Sequence, residues 1–106
     1  MTRVHYECGA DPPEYRMVIE GHAGAAERGE DLVCAAASIL MWTLAERASD
    51  RPEYGGMTRI EQDGARVEIR CRPEDGWALS CRELFETIYT GYDLLREHHP
   101  DNVEVD

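Results

Sequence analysis

MTRIEQDGARVEIRCR, running from Met57 to Arg72, is the stretch on which the fold class turns. Two runs with the alternation of strands, Met57 to Gln62 and Ala65 to Arg72, flank Asp63-Gly64, whose residues both accept the positive φ of a tight turn. An antiparallel hairpin is expected. Pro73 to Gly76 turns the chain again, and Ser80-Cys81-Arg82-Glu83 then matches a capping box, in which Ser and Glu satisfy free N–H groups at a helix start. Cys81, Leu84, Phe85, Ile88, Tyr92 and Leu95 recur as one apolar stripe of that helix. Pro100 stops it, leaving Asn102 to Asp106 as room for a short edge strand.

The upstream half repeats this order. Val4, Tyr6 and Cys8 alternate with Arg3, His5 and Glu7, Gly9 to Pro13 turns, and Tyr15, Met17 and Ile19 alternate again up to Glu20 to His22. From Gly21 to Glu30 there are three glycines and no large apolar residue, which reads as a flexible loop. Asp31 is placed to cap the helix that follows, where Leu32, Val33, Ala36, Ile39, Leu40, Thr43 and Leu44 have helical spacing. Pro52 and Gly55-Gly56 end it. The predicted fold class is α+β: one domain over residues 1–106, order β-β-α-β-β-α with a short final β as an option, an antiparallel sheet carrying two helices on one face.

A chain of 106 residues with 42% hydrophobic and 31% charged residues has room for one core. Its 11 basic residues, every one arginine, oppose 22 carboxylates for a net charge of −11. Such a balance disfavours binding to nucleic-acid phosphates; it can steer basic polypeptides, but the favoured reading on charge alone is an acidic surface that only keeps the protein soluble. The longest apolar run, Leu32 to Leu44, is interrupted by Ser38 and Thr43 and is shorter than the ~20 residues of a membrane span. With no signal-peptide pattern at the N-terminus, a cytoplasmic protein without a membrane anchor is expected. In that reducing compartment the four cysteines are expected to stay unpaired, at least three of them buried. Cys8 and Cys71 fall on apolar strand faces, and Cys81 heads the apolar stripe. No Cys-x-x-Cys or His-x-x-x-His spacing marks a metal site.

Cys34 has the best placement for nucleophilic chemistry. It lies three residues after Asp31 at a helix start, where free N–H groups favour a thiolate and supply donors for an oxyanion. His22 stands where the second strand enters the glycine loop, so strand end and helix start would form a Cys–His dyad. The segment Gly21-His22-Ala23, Gly29, Asp31, Val33-Cys34-Ala35-Ala36 and Ser38 resembles the signature of the ribosomal-processing cysteine proteases called Prp. There Gly-His-Ala is followed by Gly-x-Asp-x-Val-Cys-Ala-Ala-x-Ser.

The resemblance implies a cysteine endopeptidase with Cys34 as nucleophile and His22 as general base, requiring no cofactor or metal. It implies as substrate the N-terminal extension of large-subunit ribosomal protein number twenty-seven, cut before its basic mature start. It also implies a homodimer with a mobile glycine loop, for which Gly21, Gly24 and Gly29 are the hinge candidates. Asp31 has two readings, helix cap or orienter of His22, of which the cap is favoured. Ser38, one turn beyond Cys34, either bonds back to the helix or touches the site. Trp42, Tyr89 and Tyr92 are expected as core or dimer contacts rather than a substrate pocket. The competing reading is a non-catalytic ribosome-associated module that holds a basic tail; a thiol redox protein is disfavoured because no second Cys lies near Cys34.

Overall fold

A computed structural model describes the backbone of residues 1–21 and 30–106. The elements run β1 (Thr2–Ala10), β2 (Pro13–Glu20), α1 (Glu30–Ser49), β3 (Gly56–Glu61), β4 (Arg66–Cys71), α2 (Ala78–His98) and β5 (Val103–Val105). They form one five-stranded sheet ordered β3-β4-β2-β1-β5. The first four strands pair antiparallel, as expected, while β5 adds to β1 in parallel, so the sheet is mixed. The direction of β5 follows from connectivity: α2 carries the chain back across the sheet before β5 begins. Hydrogen bonds from Thr2 N–H to Asn102 and from Asp106 N–H to Val4 fix it there.

The hairpin quoted above forms in the expected register, with Ile60 opposite Val67 and Thr58 opposite Ile69. Its turn takes positive φ at Gln62 as well as at Asp63 and Gly64, and Ala65 N–H closes it on Gln62. The β1–β2 turn is tighter than the Gly9 to Pro13 span suggested, because Ala10 already pairs with Pro13.

Two helix starts differ from expectation. α2 begins at Ala78, so Ser80 and Glu83 lie inside it and no side chain caps it; Trp77 holds the cap position and its carbonyl accepts from Cys81 N–H. Tertiary packing sets this start: the Trp77 ring meets Tyr54 edge-on at 5.9 Å and lies under the Arg51 guanidinium. α1 begins at Glu30, which makes Asp31 a first-turn residue and not the cap. Glu30 is itself a good helix former, and the helix extends two residues further back than a cap at Asp31 implies.

The core lies between the sheet and both helices. Met17, Ile19, Val67 and Ile69 point up from the sheet, and Ala37, Met41, Leu44, Phe85, Ile88 and Tyr92 come down from the helices. Leu32–Ser49 is long and apolar enough, by length and composition, to cross a membrane. The expected run stopped at Leu44, but the helix continues through Ala45 and Ala48, both seated in the core. Phe85 sits between Tyr6 and Tyr15, with ring centroids 6.0 and 5.9 Å away. The Tyr6 hydroxyl is buried with no partner among the described residues, and burial drives its pKa upward. A hydroxyl stripped of water and left unbonded is destabilising by ~1–3 kcal/mol. Tyr6→Phe should therefore keep or raise the midpoint of urea unfolding; a fall of more than about 1 kcal/mol in stability would show that the hydroxyl has a partner.

The open face of the sheet is a lattice of ion pairs. Arg16 bridges Glu7 and Glu68, Arg66 reaches Glu61 at 2.9 Å, Arg72 reaches Glu14, and Arg3 reaches Glu104. His5 pairs with Asp106 and Glu7, and the Asp106 hydrogen bond holds its pKa above the ordinary value. Six of the eleven arginines stand on this face against seven carboxylates, leaving five arginines and fifteen carboxylates for the rest of the chain. The acidic excess thus lies away from the open face.

Candidate active site

Close packing fixes how α1 lies on the sheet. A Cβ built on Gly56 would stand 2.3 Å from the Ala48 carbonyl oxygen, so only glycine lets the start of β3 touch the end of α1. From Ala48 back to Cys34 the helix covers about 21 Å at its usual rise. From Gly56 on to Glu61 the strand covers about 17 Å. β2 and β3 both pair antiparallel with β4 and so run the same way, and α1 returns the chain from the end of one to the start of the other, which puts the first turns of α1 toward the far end of β3. At that end Glu61 pairs with Arg66, and Arg66 with Glu20, the last residue of β2.

At this end of the sheet the chain passes from β2 into Gly21. The Gly21 N–H donates to the Ala65 carbonyl at 2.8 Å, its φ is +87°, and a Cβ there would lie 2.2 Å from the Met1 carbonyl oxygen. The position therefore demands glycine and anchors the residue just before His22. His22, Gly24 and Gly29 lie outside the described residues, as does the side chain of Asp31. The topology brings the end of β2 and the first turns of α1 to one edge of the molecule, which is the juxtaposition that a His22–Cys34 dyad needs.

Cys34 is the fifth residue of α1 and is half-buried, with its thiol unpaired. It opens the second turn rather than lying in the first, because the helix starts at Glu30. Helical side chains lean toward the N-terminus, so its sulfur is directed back over the first turn, whose N–H groups have no intrahelical acceptor. Ser38 and Trp42 follow at i+4 and i+8 on one ridge. Thr43 and Ser49 bond back to the carbonyls of Ile39 and Ala45. Ser38 makes no such bond among the described residues. Trp42 is 48% exposed and is not a core residue. Tyr92 is core, its hydroxyl donating to the Ala37 carbonyl at 2.7 Å, and Tyr89 packs on Tyr6.

The other thiols divide differently from expectation. Cys71 and Cys81 are buried neighbours, and the Cys81 sulfur together with burial pushes the Cys71 thiol far up. Cys8, expected in the core, is exposed: at its level the helices cover Tyr15 on β2 but do not reach across to β1. No group of three or more His, Cys, Asp or Glu suited to a metal exists among the described residues.

The family model described as cysteine protease Prp matches residues 1–104. A ribosomal processing protease Prp from S. aureus, solved in complex with a substrate peptide, superposes with a TM-score of 0.78 at 19% identity, covering 100% of this chain and 98% of that one. The same S. aureus protease with a covalently linked product peptide gives 0.76 at 19% identity, with the same coverage of both chains. SMU.848 from Streptococcus mutans gives 0.77 at 21% identity over 100% of this chain and 96% of its own. No curated protein matches in a sequence search. With the family model spanning nearly its whole length, this chain belongs to the Prp cysteine protease family, and it is a cysteine protease.

Proposed function

We propose that this protease acts in the cytoplasm as a ribosomal-processing endopeptidase, as a homodimer, with Cys34 as nucleophile and His22 as general base. Its substrate in this reading is the N-terminal extension of large-subunit ribosomal protein number twenty-seven. The observation that supports the assignment of residues is Cys34 itself: a half-buried free thiol at the start of the second turn of α1, the helix the chain enters after Gly21 leads from β2 into His22. The S. aureus relative, described as a ribosomal processing protease and solved with a substrate peptide, supports the class of substrate. An acidic excess carried away from the open sheet face suits a basic one.

In this mechanism His22 removes the Cys34 proton and the thiolate adds to the scissile carbonyl carbon. N–H groups of the first turn of α1 stabilise the oxyanion. Collapse breaks the C–N bond while the His22 imidazolium protonates the departing amine. His22 then activates water to hydrolyse the thioester, which releases the extension and restores the thiol. The test is mass spectrometry of the precursor ribosomal protein after incubation with the reduced protein. One cut that releases the extension before the basic mature start is expected; an intact precursor in the presence of folded enzyme overturns the substrate assignment.

A further inference from the structure

The inference concerns how a peptide reaches Cys34, and it rests on the protease reading above. β3 is an edge strand, the last in the order β3-β4-β2-β1-β5. Which of its backbone groups are free follows from the ladder. Arg72 N–H donates to the Gly55 carbonyl, which marks Gly55–Arg72 as a hydrogen-bonded pair of the register that puts Gly56 opposite Cys71. Antiparallel pairs alternate, so Met57, Arg59 and Glu61 turn their N–H and C=O groups toward β4. Gly56, Thr58 and Ile60 turn theirs outward, where the described residues supply no partner. Their side chains share the face of Val67 and Ile69, the face beneath the helices.

Above this edge runs the ridge of Cys34, Ser38 and Trp42. Leu40, on the opposite flank of α1, rests against Gly91 of α2, so the ridge lies on the flank away from α2, and the end of that helix touches the start of β3 where Ala48 meets Gly56. Along the helix Trp42 lies about 12 Å from Cys34, the reach of three to four extended residues. Ile60, on the edge strand, is 55% exposed and Trp42 48%, two large apolar side chains left uncovered.

We propose that the substrate binds as an added strand on the free edge of β3. Its backbone pairs with Thr58 and Ile60, and an apolar side chain enters the gap between Trp42 and Ile60. The register delivers the scissile carbonyl to Cys34. The occupant is an extended peptide segment, and continuity with Cys34 identifies it as the stretch adjoining the cut. Strand addition takes affinity from main-chain bonds and selectivity from alternate side chains, so one edge serves both.

The test uses a synthetic peptide spanning the junction and single backbone N-methylations at successive residues beside the cut. Methylation removes the N–H and puts a methyl group against the neighbouring strand. Strand addition predicts an alternating pattern in kcat/KM, with losses of about 10-fold or more at every second residue and little change between them. Cleavage of the unmethylated peptide with a flat or non-alternating scan overturns the proposal while leaving the protease reading intact. Failure to cut the unmethylated peptide overturns the substrate assignment instead. Thr58→Pro gives a second readout, because it deletes an outward N–H and no ladder bond. With an unchanged circular dichroism spectrum it should raise KM about 10-fold and leave kcat nearly unchanged. A folded Thr58→Pro protein with unaltered KM, or one whose main defect is loss of an edge-to-edge dimer, overturns strand addition by substrate.

Discussion

Cys34→Ala should abolish cleavage of the precursor, by about 10⁴-fold or more, and leave the fold intact. The substitution removes one sulfur atom from a half-buried position in a run that already reads Ala35-Ala36-Ala37. Alanine is the best helix former, and no hydrogen bond or ion pair of the described residues is lost. Urea midpoint and circular dichroism should match the parent. Removing the nucleophile of a hydrolase costs about 10⁶-fold in a well-studied serine protease, with residual rate supplied by oxyanion donors and binding. The same limit applies if the first turn of α1 supplies those donors. Cys34→Ser tests whether thiol chemistry is needed, since its hydroxyl keeps the shape but is far harder to deprotonate; it should remain below about 1% of parent activity.

His22→Ala should fall nearly as far, and the double variant no further, because two residues that act as one unit do not contribute additively. Folded Cys34→Ala protein that still cuts at more than about a tenth of the parental rate would remove Cys34 from the chemistry. Cys8 would then be the other thiol exposed to solvent. Cys71 and Cys81 are too deeply buried to meet a peptide.

The sheet and the helices were legible because their signals are local. In β4 the alternation of Val67, Ile69 and Cys71 is the burial pattern found, and the stripe from Cys81 to Tyr92 is the buried face of α2. What escaped the sequence depends on partners far along the chain. Ser80-x-x-Glu83 has the chemistry of a cap, but Trp77, held by Tyr54 and Arg51, decides where α2 starts. Cys8 has the parity of an inward residue, and only the lateral extent of the helix layer says that nothing covers it. Val18 shows the reverse: it points to the open face, between His5 and Glu68 in register, and is only 5% exposed. The direction of β5 comes from the α2 crossover and from no residue of the strand itself.

Around the candidate site the sequence supplied the residue types and the structure their placement. Gly21 read as one glycine of a flexible loop, yet the Met1 carbonyl and the Ala65 hydrogen bond make it a fixed point. Trp42 read as a core or dimer contact from helical spacing alone. Its exposure shows why spacing was insufficient: α1 is apolar on nearly every side, so its sequence does not distinguish the face on the sheet from the face beside β3.

Phe85→Ala should destabilise the protein more than any other single truncation considered for this core. Phe85 is fully buried, and its ring stacks on Tyr6 and tilts against Tyr15. Truncating a buried Phe costs about 3–5 kcal/mol through lost transfer energy and the cavity left behind, and the aromatic pairs contribute about 0.5–1.5 kcal/mol beyond area. Domains of this size are stable by about 5–15 kcal/mol in all, so about a fifth or more of the stability is at stake. Urea titration should show a large fall in midpoint with an unchanged slope, and Phe85→Leu should recover most of the loss because it refills the volume. The effect should extend to cleavage. Phe85 seats α2 on the sheet, and α2 in turn steadies the Cys34 helix through the bond from the Tyr92 hydroxyl to the Ala37 carbonyl. Phe85→Ala should therefore lose activity on warming at the lower temperature where it unfolds and cut at a near-parental rate below it. A stability loss under about 1 kcal/mol would mean that the neighbouring rings close over the cavity and that α2 is held on the sheet by other contacts.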